Sequence, residues 1–275
     1  MNQQSLNHLM KSLIERIMSV ACVGLVICLT CVSVAWAQSN DRLTPIQARI
    51  RVQQQRLNSF SVEERRDALM KLGAMNHPDA SRVAMSALND SDPSVRVTAA
   101  HALAALPNSE ASSALIPLLA DKQEFVRREA ASSLGANASR TAVQPLIRLL
   151  ETDKEVSVRA AAALALGKIH DDSAVVPLVN VLTGNTSGKK SKQRENEFVV
   201  RSAAQALGEI RSRAGVPALI ATLADEKSDT DVKRAAAEAL GMIGDVTAAP
   251  ALKTAADSSD PYLSQAAHAA LRRLR

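Results

Sequence analysis

The chain has 275 residues, of which 47% are hydrophobic, 22% charged and only 2% aromatic, with a formal net charge of +5. So mild an excess of positive charge, mixed in sign along the chain, gives no ground for a nucleic-acid or membrane-surface protein. So few aromatic rings exclude a base-stacking platform.

Residues 1–37 stand apart from the remainder of the chain. Lys11 and Arg16 precede an uncharged stretch from Ile17 to Ala37, which ends Val34-Ala35-Trp36-Ala37-Gln38. A short basic region, an apolar core and a small-x-small end read as a secretory signal with cleavage after Ala37. About 20 apolar residues also suffice to span a bilayer, so a signal anchor is the alternative. Membrane association is expected only through that uncleaved segment. In both cases residues 38–275 are expected outside the cytoplasm, in a bacterial periplasm or secreted. Cys22, Cys28, Cys31 and Trp36 all fall in the signal. The mature chain therefore has no disulfide, thiolate nucleophile or cysteine zinc site, and must rest on its packing alone.

Thr44-Pro45 reads as an N-cap and a first-turn proline, opening a helix to about Leu57. Ser61-Val62-Glu63-Glu64 has the spacing of a capping box that starts the next. The first helix, with Gln53, Gln54 and Gln55, is polar enough to cap an array.

From there one helical phrase returns seven times. Its clearest copy is Val158-Arg159-Ala160-Ala161-Ala162-Ala163-Leu164-Ala165-Leu166-Gly167. With the leucine as anchor, the copies centre on Leu72, Leu103, Leu134, Leu166, Leu207, Leu240 and Leu271, at gaps of 31, 31, 32, 41, 33 and 31 residues. A fixed period of this length is the signature of a stacked solenoid. Apolar residues at anchor minus 8, minus 4 and zero share one face of an α-helix, and the alanines allow neighbours close approach. Between phrases lie second helices with a proline near the start: Pro145, Pro177, Pro217 and Pro250. Pairs are expected at about 79–106, 109–136, 139–169, 172–210, 213–243 and 246–273. The fold expected is all-α: a right-handed α-solenoid of about seven antiparallel helix pairs. At a helix spacing of roughly 9–10 Å its length would be about 60–70 Å.

The run Asp92-Pro93-Ser94-Val95-Arg96, with Ala99-Ala100 and Ala102-Leu103 after it, resembles the HEAT-like repeat of phycobilisome-lyase type. Glu155-Val156-Ser157-Val158-Arg159 and Asp260-Pro261-Tyr262-Leu263 echo it. The resemblance covers roughly residues 44–275. It implies a HEAT-type solenoid and leaves the activity open, because that family mixes scaffolds, chromophore-lyase subunits and a metal-dependent hydroxylase.

Two features are candidates for function. The first is a basic ladder of Arg65, Arg96, Arg127, Arg159 and Lys233 at anchor minus 7, with Arg201 one residue later in its repeat. Read as a surface, it is an electropositive stripe for an acidic partner. In HEAT-like repeats this Arg resembles the one that bonds an acidic residue of the turn before the helix, and Asp92, Glu155, Asp229 and Asp260 stand at that turn. The structural role is the favoured one. The second is the insertion 185–196, whose Lys189, Lys190, Lys192 and Arg194 suit either a partner-contacting or a merely solvated loop.

No reaction is spelled out. Gly184 to Lys189 falls one residue short of a phosphate loop and follows a helix, and Ser187-Gly188-Lys189-Lys190 has no companion motif. His77, His101, His170 and His268 are dispersed, and none is followed by Glu, so the His-Glu pairs that mark the hydroxylase branch are missing. Neither metal nor cofactor is expected. Phe125 and Phe198 hold equivalent repeat positions, which suggests core. The function expected is a non-catalytic scaffold that grips a protein or peptide on its concave, second-helix face, without nucleic acid. The alternative is an enzyme or enzyme subunit like the bilin lyases or the HEAT-repeat hydroxylase.

Overall fold

The computed structural model describes residues 43–184 and 196–274. The expected signal segment and the basic positions Lys189, Lys190, Lys192 and Arg194 lie outside the described residues, as do the motif-like residues Ser187 to Lys190. Among the described residues every regular element is a helix. Two compact units divide the chain at Arg51, and the second, residues 52–275, holds the repeat stack.

Helix α1, Pro45–Arg56, crosses that division, and the first phrase forms α2, Val62–Ala74. The later even-numbered helices all carry phrases. They are α4 (Pro93–His101), α6 (Glu124–Ala136), α8 (Val156–Ile169), α10 (Glu197–Ile210), α12 (Thr230–Ile243) and α14 (Pro261–Leu271). The odd-numbered helices lead each pair: α3 (Pro78–Ala84), α5 (Asn108–Leu115), α7 (Val143–Thr152), α9 (Val175–Thr183), α11 (Val216–Ala224) and α13 (Ala249–Ala256). The result is an all-α solenoid of stacked antiparallel pairs, as expected from the period.

The lead helices mix two windings. In the first two, α3 runs on into a 3-10 turn at Met85–Asn89 and α5 into one at Ile116–Ala120; Pro117, with no N–H to give an α-turn, suits the second, though the first makes the same switch without a proline. In later repeats the 3-10 turn comes first, and at Asp171 and Asp245 a carboxylate caps it by accepting Ser173 N–H and Thr247 N–H at 3.0 and 2.9 Å. Ser61 caps α2 by accepting the Glu64 N–H at 3.3 Å. Glu64 does not complete the reciprocal box, because its carboxylate is taken by the Ser59 hydroxyl.

The core is the predicted stripe. Ala68, Ala99, Ala130, Ala162, Ala203, Ala236 and Ala267, at anchor minus 4, are fully buried, and so are the leucine anchors from Leu72 to Leu240. Leu271, at the last turn of the stack, is half-buried.

Phrase helices touch one another through a repeated glycine–alanine contact. A Cβ placed on Gly135 would lie 2.7 Å from the Cα of Ala165; the same holds for Gly208 against Ala239 and Gly241 against Ala270, and for Gly167 against Ala206 at 2.8 Å. In each case the residue after one anchor meets the residue before the next. No side chain fits there, so glycine sets the spacing of this layer. The Leu103 repeat carries Ala104 and the last repeat Arg272 where the other five carry glycine, and helix α4 of the Leu103 repeat ends early, at His101.

Candidate binding surface

The ladder arginines face inward, toward the turns between pairs. Arg127 donates from Nε and Nη2 to the two carboxylate oxygens of Asp153, at 2.6 and 3.0 Å. Its Nη1 donates to the Asp121 carbonyl at 2.9 Å. Arg65 does the same with Asp90 (2.8 and 2.8 Å) and the Ser59 carbonyl, and Arg96 with Asp121 (2.8 and 2.9 Å) and the Asp90 carbonyl. Arg159 donates to the Asp153 carbonyl at 2.8 Å. Each aspartate thus takes one arginine on its carboxylate and the next on its carbonyl, forming a continuous line from Arg65 to Arg159.

The acid is not the one expected. Asp92, Asp229 and Asp260 turn to their own helix starts and accept the N–H of Ser94, Asp231 and Leu263, at 2.8, 2.8 and 2.7 Å, while Glu155 makes no side-chain cap bond. With those carboxylates committed, the guanidinium takes only carbonyls from its own turn. Its acid comes from the turn of the next repeat, 25 or 26 positions on. Burial pushes the carboxyls of Asp90, Asp121 and Asp153 up, but the paired arginine and a backbone N–H two residues later outweigh it and hold all three below the usual range. The Asp153 bond raises Arg127 in turn.

Arg201 does not belong to this line. The position at anchor minus 7 in its repeat is Val200. Arg201 instead lies 5.1 Å over the Phe198 ring and 3.6 Å from the Asp231 carboxylate. Lys233, in register with the ladder, is half-buried.

The opposite face of the phrase helices is partly exposed: small residues such as Ala160, Ser202, Ala235 and Ala266 are buried in it, and larger side chains reach solvent. An α-helix turns about 100° per residue, so positions minus 9, minus 6, minus 5, minus 2 and plus 2 fall across from the anchor. Phe198 and Tyr262 stand at minus 9 and are 45% and 64% exposed, with Phe125 of the same register half-buried. The reading of Phe125 and Phe198 as core is therefore wrong: nine residues is about two and a half turns, which points them away from the buried stripe. Arg128 and Arg234 share position minus 6 with Arg201, and Arg234 lies 6.0 Å from the Tyr262 ring.

These side chains frame two similar grooves. One, of roughly 340 Å³, crosses α6, α8 and α10. Its floor is Ala160, Ala161 and Leu164, and its rim holds Arg128, Lys168 and Phe198. The other, of roughly 480 Å³, lies between α12 and α14, with Ala266 and Ala269 on the floor and Arg234, Met242 and Tyr262 on the rim. Small residues on one helix beside a large one on the next make the depth.

The histidines serve local ends. His77 caps α3 through Nδ1, accepting the Asp79 N–H at 3.2 Å; His101 lies 3.3 Å from Glu129; His170 closes α8 in the left-handed region with φ 55°, its Nδ1 2.7 Å from the Glu209 carbonyl. Among the described residues no three His, Cys, Asp or Glu side chains come together as metal ligands, and no helix is long and apolar enough to cross a membrane.

The family profile described as HEAT repeats matches residues 51–135, 118–190 and 189–272. The chain belongs to the HEAT-repeat family. Of solved structures, the complex of CpcE and CpcF of phycocyanin lyase from Nostoc sp. is similar at 25% identity and TM-score 0.50, over 84% of this chain and 87% of that one. YibA of E. coli is similar at 23% identity and TM-score 0.55, over 82% of each chain. Human deoxyhypusine hydroxylase is similar at 22% identity and TM-score 0.41, over 82% of this chain and 83% of that one. No curated protein sequence matches. The HEAT-repeat architecture is compatible with protein recognition along a repeat surface and with an enzyme or lyase-like relative alike. On this HEAT-repeat protein, the exposed-face residues Arg128, Arg234, Met242 and Tyr262 were not among the sequence candidates. Their signal was available as the positions half a turn away from the leucine stripe.

Proposed function

We propose that the chain is a non-catalytic protein-binding scaffold, and that the partner, a protein or peptide, lies along the exposed face of the phrase helices. One observation carries this: the same register, minus 9, puts the exposed rings Phe198 and Tyr262 on the rims of two grooves in one layer. Exposed aromatics beside small-residue floors are what interface cores are made of. This moves the partner from the second-helix face expected from the sequence to the phrase-helix layer, the one spaced by glycine–alanine contacts. The ladder, in this reading, holds repeats together and contacts no partner. The chain works outside the cytoplasm, as Lys11 through Ala37 suggest.

The test is photo-crosslinking. A photoreactive residue at Phe198 or Tyr262 is expected to capture the same partner, and one at Val176, 67% exposed on α9 of the other layer, is expected to capture none. Capture from Val176 alone would place the binding face on the lead helices and refute the assignment.

A second reading has the comparison on its side. The likeness to the CpcE–CpcF complex extends over most of both chains, which favours an enzyme subunit related to the bilin lyases. Titrating the purified chain with a linear tetrapyrrole separates the two. A bound bilin with a shifted absorbance band supports the lyase-like reading. An unchanged spectrum at concentrations that saturate a lyase supports the scaffold.

A further inference from the structure

The groove across α6, α8 and α10 has a charge to match as well as a shape. Its floor of Ala160, Ala161 and Leu164 and its Phe198 wall are apolar, while its polar lining is Arg128, Lys168, Ser132 and Ser157 with no carboxylate among the lining residues. Three carboxylates stand near it. Glu209 of α10 brings its Oε2 against Gly167, next to Lys168, with no hydrogen-bond partner for that oxygen, while the other two are engaged. Glu129 receives Arg128 Nε at 3.1 Å and faces His101 at 3.3 Å. Asp231 is held by Arg234 at 2.7 Å and lies 3.6 Å from Arg201. Lys168, in the last turn of α8, is exposed and forms no ion pair among the described residues. The groove between α12 and α14 differs, since Glu238 lines it beside Arg234 and Arg273.

We infer that the α6–α8–α10 groove binds a peptide segment in which an apolar side chain is flanked by carboxylates. The apolar group sits on Ala161 and Leu164 against the Phe198 ring, and a carboxylate pairs with Lys168 at one end. Arg128 and Arg201 are themselves paired, with Glu129 and Asp231, which leaves Lys168 as the charge the groove offers. Charge complementarity of this kind sets orientation and excludes basic segments, while the apolar contact supplies the affinity. The inference rests on the scaffold reading and narrows it to one site and one class of partner.

The probe is a fluorescent pentapeptide amide, Glu-Asp-Leu-Glu-Asp, compared with Lys-Lys-Leu-Lys-Lys on the full chain by fluorescence anisotropy. The acidic peptide is expected to bind and the basic one not to. Lys168→Glu is expected to weaken binding by about tenfold, the scale of reversing one partly screened charge at a rim. Phe198→Ala is expected to weaken it as well. Lys253→Glu, on α13 of the other layer, carries the same charge change and is expected to leave binding unaltered. All three variants alter exposed side chains, so unchanged thermal melts identify them as folded. Equal binding of the two peptides, equal loss with Lys168→Glu and Lys253→Glu, or no binding of the acidic peptide would each overturn the inference. Should the acidic peptide fail while Phe198 and Tyr262 still crosslink a partner, the charge assignment falls and the scaffold stands. Failure of both removes the face as a binding surface.

Discussion

Arg127 and Asp153 lie 26 positions apart in sequence and meet through two parallel hydrogen bonds of 2.6 and 3.0 Å, each side chain less than a tenth exposed. The fork geometry matters, because a planar guanidinium satisfies both carboxylate oxygens while its third nitrogen reaches the Asp121 carbonyl. The pair therefore joins one repeat to the next at a place where neither group can turn to water.

Replacing Arg127 with Ala leaves that carboxylate and the carbonyls of Asp121 and Lys122 short of a donor. The expected cost is about 1–3 kcal/mol, the usual scale for stranding buried acceptors. Arg127→Lys recovers only part of it, because an ammonium cannot span both oxygens and the carbonyl together. Since a solenoid is stabilised by neighbour interfaces, hydrogen exchange should speed up in α6 and α8 and leave α12 and α14 unchanged. Uniform exchange along the chain would show that the pair is not a local clamp.

The same aspartates give the stack an acid limit. The carboxyls of Asp90, Asp121 and Asp153 lie below the ordinary value of 3.8 in the folded chain. A folded value below the unfolded one means the contribution is complete above about pH 4 and is lost as pH falls through the folded values. Urea midpoints should hold steady from neutral pH down to that point and then fall. Asp153→Asn should start from a lower midpoint and fall less steeply. A variant with the full acid slope would show that Asp153 does not contribute to it.

Phe198 and Leu207 sit on one helix and should behave oppositely. Leu207 is fully buried, so Leu207→Ala is expected to cost about 2–5 kcal/mol. Phe198→Ser changes a ring that already meets water, and its effect on stability should stay within about 0.5 kcal/mol. Thermal and urea melts check both. A large loss from Phe198→Ser would return that ring to the core.

The parts of the fold legible in the sequence are those that a period can encode. A repeat of about 31 residues marks the faces of a helix, so the buried leucines, the alanines beneath them and the pairing of helices could all be read from spacing. The ladder was visible for the same reason. Its partner was not. Asp92 and Asp90 stand two residues apart before the same helix, and only the fold decides that the first caps the helix while the second takes an arginine from the previous repeat. Arg201 was placed in the ladder by proximity to the right position, yet one residue is about 100° of rotation and moves it to the opposite face. Phe198 misled because it and Phe125 hold equivalent repeat positions, which suggests core until the angle of that position to the anchor is counted.

The glycine after the anchor reads from sequence as a helix end or a tight contact, and the structure makes it the second. Gly135 lies within α6 with no left-handed backbone requirement, and its Cα faces Ala165, where a new Cβ would lie 2.7 Å from the Cα and 2.8 Å from the Cβ. Neither is the end of a flexible side chain, so the helices themselves must move apart. On helix propensity alone, Gly135→Ala should stabilise the chain by nearly 1 kcal/mol. Overpacking opposes this with about 1–3 kcal/mol, and the net effect is expected to be a loss. Gly73 supplies the control. The nearest atom to its added Cβ is Ala102 Cα at 3.3 Å, a separation that a shift of a few tenths of an ångström relieves. Gly73→Ala should therefore be close to neutral or stabilising, while Gly135→Ala lowers the melting temperature. If both variants melt above the parent, close approach is not what keeps glycine after the anchor.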